Sequence, residues 1–361
     1  MSAGSDEGLQ KAAAHAAPIR VLLVEDSPVA QELLLYLLGG DPQFVVAGVA
    51  ADGEEGVAAA QRLRPDIIVM DIHMPKLDGF AAARRIMETC PTRIVMVTAS
   101  TNSGEVAATF RTLEAGALTI LAKPVGPGSP KFAAAAEEFL RTVKSMAEIP
   151  VVRRWPARTG TPATSVVAPL PAADVRIVAL GASTGGPMAL QEILSKLPKD
   201  LPVPLLIVQH ISASFTEGFG EWLAQAAGFA VRVAAQGERV LAGTAYIAPA
   251  DVQMGLRANG TIELADAPAE HGVRPSVSYL FRSLVAGFGP AAIGVLLTGM
   301  GRDGALELKA MRSAGAVTIA QNSDSSVVFG MPGEAVALDA AAYVLDPEAI
   351  AATVARLVAH R

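Results

Sequence analysis

Short apolar runs recur along this chain at intervals of roughly 20 to 25 residues, with amphipathic stretches between them. The spacing is typical of βα units, in which each strand is followed by a helix that packs on the sheet. The runs are apolar at every position, as strands covered by helices on both faces require, so we predict parallel sheets. The first five predicted strands lie around Val21–Val24, Val45–Val49, Ile67–Met70, Ile94–Val97 and Leu118–Leu121.

A segment rich in proline, alanine and threonine interrupts this spacing after the fifth strand. It has neither a helical nor an alternating period and is typical of a linker, although Trp155 and its arginine neighbours could instead dock a partner. The βα spacing then resumes, and two semi-alternating runs around Asn259-Gly260 predict an antiparallel hairpin with a type I′ turn. The strands predicted after the linker lie around Arg176–Leu180, Leu205–Gln209, Ala245–Ala248, Ile293–Leu297 and Ala316–Ala320.

These patterns predict an α/β protein with two doubly wound domains, which suits a chain of 361 residues. The first is a (βα)5 domain, and the second is a three-layer, Rossmann-like domain that carries the hairpin as an annex. We place a flexible tail at residues 1–18, the first domain at 19–140, the linker at 141–173 and the second domain at 174–361.

Composition argues against several classes of protein. The net charge is −6 and no dense Lys/Arg cluster is present, which disfavours nucleic-acid binding. No apolar run approaches the roughly 18 residues that a membrane span needs, so we predict no direct membrane insertion. The first twenty residues lack the basic and apolar regions of a secretory signal, and a cytoplasmic location is expected. The single cysteine, Cys90, permits neither an internal disulfide nor a multi-thiolate zinc site.

Chemically active side chains follow four strands of the first domain. Glu25 and Asp26 follow the first strand, Asp71 the third, Thr98 the fourth and Lys123 the fifth. In a sheet of order 2-1-3-4-5, strands one and three are neighbours, so their carboxyl ends meet at the topological switch point. Clustered carboxylates repel one another unless a cation offsets their charge, which suits Mg²⁺ held by Glu25, Asp26 and Asp71. We predict that Asp71 accepts a phosphoryl group, with Lys123 and Thr98 binding its oxygens.

The segments VLLV, VMDIHMPKLDGF, IVMVTAS and LAKP around these residues closely resemble the receiver domain of bacterial response regulators, over about residues 19–140. The resemblance implies phosphorylation of Asp71 by a histidine kinase, with Mg²⁺ as the cofactor. One departure is Ile120, which stands where receivers usually carry an aromatic switch residue. Pro124 suggests a cis peptide bond after Lys123, which the family commonly has.

Ser183 lies in a glycine-lined turn between a strand and a helix, in the sequence GASTGGPMAL. Free N–H groups and the positive end of the helix dipole at such a turn favour developing negative charge, which suits a nucleophilic serine. The turn by itself is equally compatible with a serine that caps a helix in a phosphate-binding loop.

The positions of His210 and Asp303 favour a nucleophilic Ser183 over a helix-capping one. Of the five histidines, only His210 lies at the carboxyl edge of a strand of the second domain, and Asp303 follows a further strand in another glycine-rich turn. Each of the three residues follows a strand of the second domain. We therefore predict that Ser183, His210 and Asp303 form a Ser-His-Asp constellation. The order of these residues differs from that of α/β-hydrolases, where the acid precedes the histidine, so a lipase-type fold is disfavoured.

The motifs GASTGGP, VQHI, AYIAPAD, RPSVSYLFRS and TGMGRDGA closely resemble, in that order, the catalytic domain of the chemotaxis protein-glutamate methylesterase family (CheB). The resemblance covers about residues 174–358. It implies hydrolysis of glutamate methyl esters on methyl-accepting chemotaxis receptors, release of methanol, and deamidation of receptor glutamines. No cofactor is implied for ester hydrolysis, and the kinase would be one of the chemotaxis class.

Carried onto this sequence, the family implies that Ser183 attacks the ester, that His210 serves as general base and then acid, and that Asp303 orients the imidazole. The backbone N–H groups of the turns containing Thr184 and Met300-Gly301 are candidates for holding an oxyanion. The resemblance also implies that the unphosphorylated receiver packs over the esterase mouth and that phosphate on Asp71 weakens this contact.

Three positions depart from the usual family pattern. Gln253 stands where many members have histidine, Ser278 replaces the aspartate of RPSVD, and Arg302 lies beside Asp303. We expect Gln253 and Ser278 to affect substrate contacts or domain docking and to leave the chemistry intact. Two alternative functions stay open: a second domain that only docks a partner, and a hydrolase that acts on another acyl compound.

Overall fold

The computed structural model describes residues 17–99, 103–149 and 174–359. The flexible tail predicted for residues 1–18 lies almost wholly outside these ranges, as does most of the predicted linker at residues 141–173, so both stay predictions. No helix within the described ranges is both long and apolar enough to span a bilayer.

The first domain is a five-stranded parallel sheet of order β2-β1-β3-β4-β5 with helices on both faces. Three helices begin where an aspartate or serine side chain accepts a hydrogen bond from a backbone N–H of the first turn: Ser27 for α1, Asp52 for α2 and Asp78 for α3. The elements are β1 Ile19–Val24, α1 Pro28–Gly39, β2 Phe44–Ala50, α2 Gly53–Leu63, β3 Ile67–Asp71, α3 Gly79–Thr89, β4 Arg93–Thr98, α4 Ser103–Thr109, α5 Arg111–Glu114, β5 Thr119–Ala122 and α6 Phe132–Ala147.

The second domain is a seven-stranded parallel sheet of order β14-β13-β12-β6-β7-β9-β8, also covered by helices on both faces. Strands β6, β7 and β12 occupy its centre and are completely buried. The elements are β6 Ile177–Ala182, α7 Gly186–Lys196, β7 Leu205–Gln209, α8 Thr216–Ala227, β8 Ala230–Val233, β9 Thr244–Ile247, β10 Gln253–Leu256, β11 Ile262–Ala265, α9 Val277–Gly287, β12 Ala292–Leu296, α10 Ala305–Ser313, β13 Val317–Gln321, α11 Met331–Ala337, β14 Tyr343–Leu345 and α12 Pro347–Val358.

The predicted fold class is confirmed, including the antiparallel pair β10 and β11. The prediction of a type I′ turn at Asn259-Gly260 is wrong. Gly260 has a φ of 80° but Asn259 does not have positive φ, and the N–H of Gly260 donates to the carbonyl of Arg257 at 2.8 Å. A type I turn followed by a left-handed glycine therefore joins the strands, because the loop has one residue more than a two-residue hairpin.

The peptide bond between Lys123 and Pro124 is trans, so the predicted cis bond is also wrong. An X-Pro bond prefers trans by about 0.5–1 kcal/mol unless its turn requires cis. The cis bond of the described chain lies between Arg274 and Pro275, directly before α9.

Helix α6 runs through the boundary predicted at residue 140. Its buried face continues beyond that point through Val143 and Met146, which join Phe139 in the core formed with the first sheet. The residues Arg141 to Ala147 therefore belong to the first domain as the structure has it. This helix ends where the helical spacing of apolar residues stops, which is later than the change in composition.

An aromatic cluster joins the two domains. Phe110, which follows α4, lies 5.3 Å from the ring of Phe219 and 5.3 Å from that of Trp222, both on α8. All three side chains are buried, and they belong to one hydrophobic cluster that spans both domains. Aromatic pairs at this separation add about 0.5–1.5 kcal/mol beyond the burial of their surface. The cluster fixes α4 against α8.

Candidate functional site

The carboxyl ends of β1, β3 and β5 bring three predicted side chains of the first domain into direct contact. The ammonium of Lys123 donates to Glu25 Oε1 and to Asp71 Oδ2, each at 2.8 Å. Glu25 is fully buried and Asp71 is 3% exposed. Thr98, at the end of β4, is buried beside them, and its carbonyl accepts the N–H of Lys123 at 2.8 Å. The predicted pocket is assembled as the strand order requires.

Two carboxylates and one ammonium are in direct contact in this pocket. Burial raises the pKa of Glu25, and the charge of Asp71 adds to this effect, although the hydrogen bond from Lys123 opposes it. Burial also acts against the ammonium of Lys123, but its hydrogen bonds to Asp71 and Glu25 outweigh that effect and raise its pKa. Lys123 is thus held charged, as a phosphoryl-binding group must be.

A divalent cation fits the same pocket. Carboxylate oxygens of Glu25, Asp26 and Asp71 lie within 4.8 Å of one another. The second oxygen of Glu25 is buried and has no hydrogen-bond partner. An orphaned buried carboxylate oxygen next to two further carboxylates matches the oxygen-rich, anionic donor set that hard divalent ions prefer.

In the second domain, Ser183 and His210 lie side by side because their strands are neighbours in register. Ala182 of β6 pairs with Gln209 of β7, and the N–H of His210 donates to the carbonyl of Ala182 at 3.0 Å. Gln209 strengthens this contact, since its amide donates to the carbonyl of Ser183 at 2.9 Å and to that of His210 at 3.0 Å. The Ser183 hydroxyl itself is not hydrogen-bonded to the imidazole in this geometry.

Asp303 contacts the other side of the imidazole. Its Oδ2 lies 2.9 Å from His210 Nε2, so Nδ1 is the ring nitrogen that Asp303 does not occupy. Asp303 follows β12, which pairs with β6 on the side opposite β7, so three adjacent strand ends supply the three residues. All three line one cleft of about 890 Å³.

The carboxylate of Asp303 is 3% exposed and accepts four hydrogen bonds. Besides His210, its donors are the hydroxyl of Ser276 at 2.7 Å, the N–H of Val277 at 2.7 Å and the N–H of Ser278 at 3.0 Å. The two N–H groups belong to the first turn of α9, whose dipole favours an anion at that position. Burial works against the charged form, but these donors and His210 outweigh it and hold the pKa of Asp303 well below its usual range.

The three residues predicted to hold an oxyanion lie around Ser183. Gly299 is so close that a Cβ on it would stand 2.7 Å from Ser183 Cβ, and Met300 and Gly301 follow directly. Within the described ranges, the backbone N–H groups of Thr184, Met300 and Gly301 donate to no protein acceptor. These donors are therefore available to a ligand bound at Ser183.

Comparison with known proteins shows the family to which both domains belong. Residues 178–354 match the family model described as CheB methylesterase, and residues 21–131 match that of the response regulator receiver domain. A protein-glutamate methylesterase/protein-glutamine glutaminase of Nitrosospira multiformis is 52% identical over 95% of this chain and 98% of its own length. The chain belongs to the CheB family.

Further relatives cover the same span. A protein of the same name from Syntrophus aciditrophicus is 49% identical over 94% of this chain and 98% of its own length. The crystal structure of the Thermotoga maritima CheB methylesterase catalytic domain is 36% identical and superimposes with a TM-score of 0.50, covering 51% of this chain and 99% of that domain. The predicted family and enzyme class are confirmed: this CheB protein is a response regulator whose second domain is a methylesterase domain.

Of the three departures from the usual CheB pattern, Arg302 lines the cleft, whereas Gln253 and Ser278 do not. Ser278 is completely buried: its hydroxyl donates to Glu307 at 2.6 Å and accepts the N–H of Gly304 at 2.9 Å. Gln253 is also buried, and its amide accepts from the N–H of Ser276 and donates to the carbonyl of Pro268. Neither side chain is among the residues that line the cleft, and both hydrogen-bond the segments around Asp303; their effect on substrate contacts or docking stays a prediction.

Sequence reasoning missed two residues that support the site. Ser276 appears in the motif RPSVSYLFRS and precedes a helix, which predicts an N-cap, yet its hydroxyl bonds Asp303 instead of the helix. In the sequence, Gln209 is simply the last residue of an apolar strand. Its side chain fits beside the turn only because residue 186 is glycine, since a Cβ on Gly186 would stand 2.1 Å from Gln209 Oε1. The second glycine after GAST, Gly186, is the one signal in the sequence that could have indicated a buried neighbour.

Proposed function

We propose that this protein is a phosphorylation-activated protein-glutamate methylesterase that hydrolyses glutamate methyl esters on methyl-accepting chemotaxis receptors and releases methanol. The observation that carries the proposal is the convergence of Ser183, His210 and Asp303 on one sheet edge of a CheB methylesterase domain. The relatives are named for this activity and for protein-glutamine glutaminase activity.

In the proposed reaction, the hydroxyl of Ser183 attacks the ester carbonyl while His210 takes its proton. Because Nε2 of His210 faces Asp303, Nδ1 is the nitrogen that receives the proton and later donates it to the leaving methanol. Water then hydrolyses the acyl-enzyme by the same base catalysis. Asp303 fixes the ring and stabilises the imidazolium, which its depressed pKa allows because the carboxylate stays ionised.

The free N–H groups of Thr184, Met300 and Gly301 are proposed to stabilise the tetrahedral oxyanion. Loss of one such donor commonly costs about 2.7–4 kcal/mol in the transition state. A primary amide can follow the same acyl-enzyme route with ammonia as the leaving group, so glutamine deamidation is proposed at the same site.

In the first domain, we propose that a chemotaxis histidine kinase is the phosphoryl donor and Asp71 the acceptor. Glu25, Asp26 and Asp71 would hold Mg²⁺, which neutralises charge on the phosphoryl group when bound. Lys123 stays charged beside Asp71 and binds a phosphoryl oxygen, and Thr98 is placed to bind another. Phosphorylation adds a charge of roughly −1.5 to −2 at this point.

Regulation is proposed to act through occlusion of the cleft. One face of α6 lines the cleft opposite Ser183 and His210, and Glu138 of that helix accepts a hydrogen bond from Ser212 at 3.1 Å. Ile120, in place of the usual aromatic residue, is buried and also lines the cleft. A shift of α6 or β5 after phosphorylation would therefore act directly on substrate access.

The proposed function is tested by release of labelled methanol from methylated receptor membranes. The full chain should release methanol, and acetyl phosphate plus Mg²⁺ should raise the rate. In Asp71→Asn, the basal rate should persist and the response to acetyl phosphate should vanish, because the acceptor carboxylate is gone. An unmethylated receptor preparation is the control. No release of methanol from membranes under either condition would refute the assignment.

Occlusion has a test of its own. The domain from residue 174 to 361 corresponds to the Thermotoga maritima catalytic domain, which was crystallised by itself, and should fold alone. It should hydrolyse receptor esters faster than the unphosphorylated full chain by about tenfold, which corresponds to a closed form that is about 1.4 kcal/mol more stable than the open one. An isolated domain no faster than the unphosphorylated protein would exclude occlusion, while leaving the esterase assignment intact.

A further inference from the structure

The esterase wall of the cleft carries a guanidinium without an anionic partner. Arg302 is exposed, lines the cleft and directly precedes Asp303. The neighbouring arginines are paired: Arg274 with Asp266 at 2.8 Å, and Arg282 with Glu307 at 3.2 Å. Arg302 forms no ion pair with any side chain that the structure describes. Its charge is therefore available to a group that enters the cleft.

The opposite wall shows what kind of segment the cleft admits. Helix α6 turns one face toward it, and the lining positions follow helical spacing. Two exposed carboxylates, Glu137 and Glu138, and one exposed guanidinium, Arg141, lie on this face, so its net charge is negative. The lining residues of α6 are Ala134, Glu137, Glu138, Arg141, Thr142, Ser145 and Met146.

We propose that Arg302 is a specificity-determining residue that binds a carboxylate on the substrate chain, close in sequence to the esterified glutamate, and that the cleft takes an acidic helical segment. In the inhibited arrangement α6 fills the place of that segment. The inference rests on the proposed function and adds a rule for substrate choice. Asp251 also lines the wall and is negative, so the preference concerns a carboxylate placed near Arg302, not acidic chains in general.

The proposed contact is electrostatic. A guanidinium binds a carboxylate through paired N–H donors, and the contact gains strength where the cleft excludes part of the solvent. The bound carboxylate takes no part in the reaction of the ester, so we expect the contact to be made equally in the ground state and the transition state. It should therefore lower KM and leave kcat nearly unchanged.

The test uses synthetic helical peptides that contain one glutamate γ-methyl ester. One peptide carries glutamate four residues after the ester, a second carries glutamate four residues before it, and a third has glutamine at both places. The full chain, activated with acetyl phosphate and Mg²⁺, is assayed for methanol release as wild type, Arg302→Gln and Arg302→Lys. Lys309→Gln removes an exposed cation outside the cleft and is the matched control.

The wild type and Lys309→Gln should prefer one glutamate peptide over the glutamine peptide by about three- to fivefold in kcat/KM, as an exposed ion pair allows. The preference should fall to about one in Arg302→Gln and persist in part in Arg302→Lys. Equal rates on all three peptides in the wild type, or a preference that survives Arg302→Gln, would overturn the inference but not the esterase. Absence of methanol release from every peptide and from receptor membranes would overturn both.

Discussion

Replacing Ser183 with alanine is expected to lower methanol release by a factor on the order of 10⁴ to 10⁶. The loss is large because, in the proposed mechanism, the hydroxyl supplies the nucleophile and the rest of the constellation cannot act without it. Stability should change little, since the hydroxyl makes no hydrogen bond to the imidazole and lies at the cleft surface. The measurement is the initial rate of labelled methanol release from receptor membranes.

Two controls make this result specific. Ser195→Ala makes the same chemical change at the exposed end of α7 and should keep the wild-type rate. Phosphorylation of Asp71 by acetyl phosphate should be intact in Ser183→Ala, because the acceptor pocket belongs to the other domain. Unchanged methanol release in Ser183→Ala would defeat the esterase mechanism and favour a second domain that only docks a partner.

Asp303→Asn is expected to lower kcat by about 10⁴-fold. An asparagine side chain of the same shape presents an amide where His210 and three other donors need an acceptor, so the imidazole loses both its orientation and its counter-charge. The buried donors left without a carboxylate should also destabilise the fold by about 3 kcal/mol. Single-turnover rates and thermal unfolding measure the two effects separately.

The pH dependence of this stability difference follows from the depressed pKa of Asp303. A carboxyl whose pKa is lower in the folded protein contributes its full stabilisation above its unfolded pKa, which is about 3.9, and loses it as the pH falls toward the folded value. The gap in unfolding free energy between wild type and Asp303→Asn should thus be constant at neutral pH and narrow below about pH 4. A gap that widens on acidification would contradict an ionised, stabilising Asp303.

The site could be predicted from the sequence because its residues follow the carboxyl ends of strands. Glu25, Asp71 and Lys123 meet because a parallel sheet places the carboxyl ends of its strands along one edge, and the same rule unites Ser183 with His210. The apolar runs that mark such strands are easy to find when both faces are buried. The predicted strand positions therefore agree with ten observed strands to within one or two residues.

Elements at the edges of the second sheet were missed. Strand β8 alternates between exposed and partly buried positions, and β14 has only three residues, so neither contains the continuous apolar run that marks a central strand. The support of Asp303 was missed for a different reason. Ser276 and Ser278 reach it only after the backbone turns into α9, and sequence spacing carries no information on that approach.

The contact of Phe110 with Phe219 and Trp222 limits how far one phosphoryl group can shift the balance between closed and open forms. Separating the domains completely would expose apolar surface on three large rings, and full exposure of one buried aromatic side chain costs about 1.5–3 kcal/mol. A ligand or modification can move an equilibrium only by its differential free energy for the two forms. On the occlusion proposed above, we therefore expect the open form to differ by a small rotation about this aromatic contact, with the cleft mouth moving and the rings staying in place.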